Sequence, residues 1–589
     1  MMATSSKNRS QSPVADRLPE RLPSASRRER VRMTAFGGLD VGEGGKGRIA
    51  EMYNLSSRAA PALATRPEKE LLMSSPPLGY HRSMAVMGED LYMVRDVFLY
   101  RVPQVLKSGQ QLKHTLVGLL SATEKYMTVF DGRLLVFPDK VYIDEKDGRL
   151  RPMELDTGVL EDVRFCGNTV TLPMGNYWSE LGFLEGDSVY VSQTNGKIPS
   201  GYYRLTGLYA SLATVAPDIT FPPRDDNGIY NENASPEVIV SPARLQRIVP
   251  DMDGLTVLGD RLCGYKGRTV YIGGEGSPFS WGQNLDDKHG AAVLQSCTDG
   301  DFTACAARGD ELVLFKSAAI VRVTGTRSDN FMMTEIKAAG IPAGLGRTLC
   351  EMNGDLYYHG FDEAYVYRHN AKQPERMGRI FSGRPTGGCG VAYEEGYYVC
   401  VSGNVSDGSS ASGRYFYDVA RRAWYVDRDE QMIDGIRLGA YLCSVDKSGV
   451  LWLSRNDGER AGTLDAMNAP ASPVHSFVSF VPDYTNYPDG CRPTNLYLRA
   501  TSKGACEMRV LMSFADGRRG WDAELPAVVT QEQGREDARE ICCITENMQN
   551  RLLRIPLPPR RCDYVVLALE MLGDWVIHEV TLEYEIPKG

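Results

Sequence analysis

Residues able to do chemistry are plentiful in this chain, but their spacing assembles no familiar site. The seven histidines (His81, His114, His289, His359, His369, His475, His578) never stand four apart and never flank paired cysteines. A zinc centre therefore has no local support. The stretch Gly42-Glu43-Gly44-Gly45-Lys46-Gly47-Arg48 has the look of a phosphate loop. A true one keeps four residues between its first glycine and the Gly-Lys pair, and follows the lysine with Ser or Thr to hold magnesium. Here the spacing is short and Gly47 replaces the hydroxyl, so the segment reads as a turn. No Gly-x-Ser-x-Gly elbow occurs to present a nucleophilic serine. Ser444-Val445-Asp446-Lys447-Ser448-Gly449-Val450-Leu451-Trp452 approximates the Asp-box turn of sialidase-like propellers, with its glycine and tryptophan displaced. An Asp-box stabilises a fold and does no catalysis.

Adjacent carboxylates at Asp225-Asp226, Asp286-Asp287 and Glu394-Glu395 lie in turn-like contexts. Glycoside hydrolysis instead needs two carboxyls from separate strands, roughly 5 to 10 Å apart. The thirteen cysteines are odd in number, include no C-x-x-C pair, and place Cys542 beside Cys543. They read as small buried thiols in a reducing compartment. No catalytic, cofactor-binding or metal-ligating residue is assigned.

Charge gives the one candidate site. Residues 1–34 form a Ser-, Pro- and Arg-rich arm, with too few large apolar groups to fold alone. Arg17, Arg21, Arg27, Arg28, Arg30 and Arg32 could dock it on a partner or an acidic surface; the alternative is an unstructured tail.

The elements that would position such groups show a fixed period. Seven times a tight turn opens onto a strand-forming run, with marker residues at 91, 134, 262, 312, 356, 397 and 443. The steps are 43, 128, 50, 44, 41 and 46 residues, and five of the six match a four-stranded propeller blade. The long step equals one blade plus an insertion of about 80 residues. Within it, Gly186-Asp187 and Asn195-Gly196 turns join alternating strands, which suggests a small β-barrel. After Ala469-Pro470-Ala471-Ser472-Pro473 the texture changes to about 100 residues of alternating strands, a β-sandwich.

The expected fold is all-β: a propeller of about seven blades, an inserted barrel and a C-terminal sandwich. The expected divisions are an arm at 1–34, propeller at 35–160, barrel at 161–245, propeller at 246–475 and sandwich at 476–589. The 35–80 segment would supply material that closes the ring.

Apolar content of 42% and charged content of 24% are those of a soluble globular protein. A net charge of −9 argues against a whole-surface nucleic-acid binder. No run of 18 apolar residues exists to cross a membrane, and the first residues lack the apolar core of a signal peptide.

The order of features from Leu314 to Tyr367 resembles the propeller core of tailed-phage virion proteins, above all the nozzle and tail-hub proteins of short-tailed phages. The segments that carry it are Leu314-Phe315-Lys316-Ser317, Ile336-Lys337-Ala338-Ala339-Gly340-Ile341, Asn353-Gly354-Asp355-Leu356-Tyr357-Tyr358 and Ala364-Tyr365-Val366-Tyr367. The opening Phe36-Gly37-Gly38-Leu39-Asp40 is similar to theirs, as are Tyr417-Asp418-Val419 with Trp424-Tyr425 and the closing Arg560-Arg561-Cys562-Asp563-Tyr564. The likeness spans nearly all of the chain after residue 34, through motifs that are fold-level.

It implies a non-enzymatic component of the virion tail, made in the bacterial cytoplasm. Copies would form a ring, a hexamer being one option, below the portal and adaptor. Such a ring retains packaged DNA and passes it during ejection without reading its sequence, and an acidic lumen lets DNA slide. The alternatives are a receptor- or carbohydrate-binding propeller, a glycan-cleaving one, and a cellular interaction scaffold.

Overall fold

The computed structural model describes residues 27–39, 49–106, 111–224, 230, 235–283, 288–405, 410–428, 431–459, 461, 473–480, 492–515, 539–558 and 564–586. The loop at Gly42–Arg48, the carboxylate pairs Asp225-Asp226 and Asp286-Asp287, and Arg560-Arg561 lie outside them.

All seven turns are hairpins between the first and second strands of four-stranded antiparallel sheets. Blades 1 to 6 span 81–119, 126–152, 254–295, 304–337, 350–378 and 384–427. Blade 7 takes three strands from 432–454 and its outermost, Glu70–Leu71, from near the start of the chain. The innermost strands of neighbouring blades touch all the way round, blade 7 to blade 1 included. The ring is thereby closed by strand exchange between the two ends of the propeller, which removes a sheet edge.

Each blade's second strand is a near-continuous apolar run, because both of its faces are covered by neighbouring blades. Blade 4 shows the alternation: Leu312 and Leu314 pack with Cys263 and Tyr265 of blade 3. Val313 and Phe315 point the other way, onto Leu356 and Tyr358 of blade 5. Each such side chain, fully buried, contributes about 1.5–3 kcal/mol.

Between blades 2 and 3 the chain leaves the ring, and strands from Leu155 to Arg247 form one eight-stranded sheet. Leu155–Leu160 and Val163–Cys166 act as a single bent strand, paired antiparallel with Val238–Val240 and Ala243–Arg247. The remaining pairs link Val163–Cys166 through Thr169–Thr171, Leu212–Ala216, Gly201–Tyr209 and Ser188–Ser192 back to Ala243–Arg247. The sheet thus closes on itself around its own core, centred on Phe165, Trp178, Val189, Leu205 and Leu245.

The C-terminal region is organised by two long strands, Arg492–Ala515 and Tyr564–Ile586, paired along their length. Both bend where left-handed glycines sit, at Gly504 and Gly573. On one side of the bend they carry Arg551–Pro556 and Arg27–Met33; on the other, Arg539–Ile544, His475–Phe480 and Ile49–Tyr53. Inward side chains of both halves, among them Leu496, Val510, Leu569 and Val580, share a single core.

The N-terminal region departs from expectation. Ile49–Tyr53, Leu55–Ser56 and Leu63–Thr65 join the C-terminal sheet, Leu39 and Asn54 donate their N–H groups to Trp424 and Val426 of blade 6, and Glu70–Leu71 completes blade 7. The physical reason is the ring itself: blade 1 and blade 7 are neighbours, so the segments before one and after the other emerge at one place and pair there.

Candidate interaction surfaces

Of the arm arginines, Arg17 and Arg21 lie outside the described residues. The other four fall in the edge strand Arg27–Met33, antiparallel to the end of the final strand, with Arg27 opposite Ile586. Period-2 alternation sorts the strand. Val31 and Met33 turn inward, opposite Leu582 and Val580, and pack on the C-terminal core. Arg28, Arg30 and Arg32 turn outward onto a row of glutamates.

Arg28 Nε donates to Glu585 at 3.1 Å. Arg30 donates twice to Glu583, at 2.9 and 2.8 Å, with its guanidinium over the Tyr497 ring. Arg32 grips Glu579 with both forks at 2.9 Å. The Arg32 fork, against the opposing pull of burial, holds the Glu579 carboxyl below the usual glutamate range. At Glu583 burial pushes upward, and hydrogen bonds from Arg30 and Asn495 overcome it, so its carboxyl is also depressed. The acidic row that Arg28, Arg30 and Arg32 meet belongs to the chain's own last strand.

A second cluster sits where the innermost strands begin. His81 opens that strand in blade 1, Asp434 lies near its start in blade 7, Glu124 precedes it in blade 2 and Arg347 precedes it in blade 5. His81 Nε2 meets Asp434 Oδ2 at 2.7 Å. Arg347 donates to the Arg82 carbonyl at 3.0 Å and stands 3.6 Å from Asp434 and 4.0 Å from Glu124. One side chain that reaches blades 1, 2 and 7 from blade 5 must lie across the propeller axis, so Arg347 obstructs that mouth.

Local chain chemistry puts it there. The connection from blade 4 runs so close to its neighbours that a Cβ at Gly340 would fall 1.8 Å from the Lys316 carbonyl oxygen, and one at Gly346 2.2 Å from that of Thr303. Burial pushes the Asp434 carboxyl upward, but Arg347 and His81 outweigh it and the carboxyl stays low. Burial lowers His81; Asp434 opposes this, while Arg95 and Arg347 reinforce it, so the imidazole is neutral at pH 7. At the same mouth Tyr80, with Arg82 against its ring, and Phe361, with Arg384 against its ring, are exposed.

The remaining chemical candidates disperse. His289 meets Glu275, His475 meets Glu570 and His578 meets Thr501, each far from the others along the fold. Among the described residues no group of three His, Cys, Asp or Glu side chains could hold a metal ion. The Asp-box-like segment is the second-to-third hairpin of blade 7, where Asp446 accepts from Val450 N at 3.0 Å and Trp452 Nε1 at 2.9 Å. Glu394 and Glu395 sit on the blade 6 hairpin and line a cavity of about 240 Å³ with Asp418.

Sequence reasoning missed the axial cluster, since nothing local ties residues 81, 124, 347 and 434. It also missed the glutamate row, although Glu579, Glu583 and Glu585 share the parity that a strand presents on one face.

Sequence comparison finds no matching protein-family model and no matching curated protein. Among solved structures the chain is similar to a computationally designed protein, Ika8, at 11% identity and TM-score 0.33, over 66% of this chain and 99% of that one. It is similar to the AfRom2 CNH domain at 10% identity and TM-score 0.31, over 66% and 98%. It is also similar to the endosialidase of phage phi92 at 11% identity and TM-score 0.26, over 67% and 64%. Likeness at these identities assigns no activity. What stands is the architecture: an all-β chain built on a seven-bladed propeller.

Proposed function

We propose that this chain is a non-enzymatic structural component of a phage tail, assembling through its propeller flank into a ring that surrounds the DNA path below portal and adaptor. The observation that carries the assembly is the outer strand of blade 1, Thr115–Leu119. Its sequence TLVGL is uncharged, Leu116 and Leu119 are 57% and 65% exposed, and Phe98 beside Leu119 is partly exposed. Exposed apolar edge strands are normally blunted by charge, proline or brevity. The outer strands of blades 5 and 2 follow that rule: Glu375–Gly378 is charged, and Leu150–Pro152 is short and ends in proline. A second copy of the chain is the partner this flank fits.

Arg347 across the axis supports a DNA path through the lumen of the ring rather than through the propeller. Native mass spectrometry of the full chain, alone and with portal and adaptor, tests the reading. A closed ring that Leu116→Lys with Leu119→Glu reduces to monomer is expected. A persistent monomer under both conditions would overturn it.

The exposed Tyr80 and Phe361 at one mouth favour a second reading, a tail protein that binds a receptor glycan. Glycan-array binding by the monomer, lost on Tyr80→Ala, would move the assignment there.

A further inference from the structure

The paired glutamates Glu394 and Glu395 of the blade 6 hairpin line a cavity of about 240 Å³. That volume falls just below the range of sites for drug-sized ligands and suits a smaller body. Three stretches meet there: the hairpin with the third-to-fourth turn of blade 6, residues 56–58 of the N-terminal layer, and Asn456 just past blade 7. Val419 N ties the turn to the hairpin by donating to the Glu395 carbonyl at 3.1 Å. Gly396 lets the Phe416 ring lie against the backbone, since a Cβ there would fall 2.0 Å from it. That ring stacks on Tyr398. Asn456 accepts from the Tyr398 hydroxyl at 2.9 Å and donates to Glu394 Oε2 at 2.5 Å.

The charged groups of the lining are only half used. Arg421 donates to Asp418 through Nη1 at 2.8 Å. Arg58 donates through Nε to the Thr65 carbonyl and through Nη2 to Asp574. Among the described residues, Nε and Nη2 of Arg421, Nη1 of Arg58 and both carboxylate oxygens of Glu395 make no hydrogen bond. Ser56 also lines the cavity, and its buried hydroxyl has no partner among them.

Free donors and free acceptors in one concave site decide the ligand class. A cation would leave the guanidinium N–H groups unmet, and an anion would leave the carboxylate unmet. A hydroxyl answers both, accepting from the one and donating to the other. The apolar Phe416 beside them suits the C–H face of a sugar ring.

We propose that this cavity binds a hexose unit of a neutral saccharide, with Glu395 and Arg421 engaging its hydroxyls over Phe416. The inference is independent of the tail assignment. It is also distinct from the mouth that carries Tyr80, which precedes the start of an innermost strand where Glu394 follows the end of one.

Isothermal titration of the full-length chain with glucose, galactose and mannose as separate probes, and putrescine as an amine control, tests it. Saturable binding of at least one hexose is expected. Glu395→Ala, at an exposed position, should weaken it about tenfold while melting as the parent does. Arg421→Lys, which keeps a charge beside Asp418, should weaken it to a similar degree, and Tyr80→Ala should leave it unchanged. The proposal fails if no hexose gives saturable heat up to about 20 mM, a concentration that reveals millimolar affinity, or if putrescine alone does. Unchanged hexose affinity in the Glu395→Ala, Arg421→Lys double variant would place the binding elsewhere and overturn it equally.

Discussion

At the residue scale the axial cluster makes the sharpest demands. Asp434 is buried and held ionised by Arg347 and His81 together. His81 is kept neutral by burial and by the two arginines, Arg95 and Arg347, with Asp434 pulling the other way. Replacing Arg347 by Met removes one positive neighbour from both. Both groups then titrate higher, and His81 takes up a proton to compensate the stranded carboxylate. The expected result is an upward move of the His81 ring-proton titration in NMR spectra of Arg347→Met. Because Arg347 is itself 27% exposed on its side chain, the stability loss should sit below the 3–5 kcal/mol of fully buried pairs, at about 2 kcal/mol. An unmoved His81 titration would show that Arg347 does not face the pair.

Also at this scale, the arm strand should respond to acid. The carboxyls of Glu579 and Glu583 are depressed in the fold. Groups of this kind contribute stability that is fully present above their unfolded value, near 4.3, and is lost as pH falls through the folded one. Amide hydrogen exchange of Arg28–Met33, corrected for intrinsic rates, is therefore expected to stay slow at pH 7 and to accelerate below about pH 4. The propeller amides should lag behind. Simultaneous release of both would mean that the arm strand has no separate acid response.

At the element scale the ring depends on a very short strand. Glu70–Leu71 completes blade 7, and the adjoining Leu72 is 1% exposed and donates its N–H to the Leu451 carbonyl at 2.9 Å. Leu72 packs with Leu453, Val445 and Leu91, so it joins blade 7 to blade 1. Leu72→Ala should cost about 2–5 kcal/mol, read as a shift of the denaturation midpoint. A loss within error would place closure elsewhere.

Hairpins such as Gly309-Asp310 and Asn353-Gly354 were legible in the sequence because their turn chemistry and the strands after them are local. The closing strand was less so: two residues carry no period, and their pairing with Trp452 and Leu453 spans almost 400 positions. The same separation hid the axial cluster. The arm was legible as basic, but the glutamates that Arg28 and Arg32 meet lie more than 540 residues away.

At the scale of the whole molecule, the inserted barrel should be separable from the propeller. Its core is distinct from those of blades 2 and 3, and blades 2 and 3 contact each other directly through their innermost strands. Leu155 and Arg247, where the chain enters and leaves, are cross-strand partners. The ends are therefore about 5 Å apart, and two or three residues would bridge them.

What joins the barrel to the ring is a set of polar contacts together with half-buried Leu184, which packs on the core shared by blades 2 and 3. Arg247, buried, donates to the Met153 carbonyl and pairs with Asp187 at 2.7 Å. Its guanidinium lies 4.1 Å from the Phe279 ring centroid, and Ser188 meets Ser280 at 3.0 Å. Excising both partners of the buried pair together leaves no uncompensated charge, the costly outcome of removing one alone. The main losses are the cover over Phe279, worth about 1–2 kcal/mol, and the packing of half-buried Leu184 beside it. Replacing residues 155–247 with Gly-Ser-Gly should leave one cooperative melt, lowered by less than about 5 °C. If the variant fails to fold while the single change Asp187→Asn is tolerated, blades 2 and 3 need the barrel to hold their seam, and the ring is not mechanically complete without it.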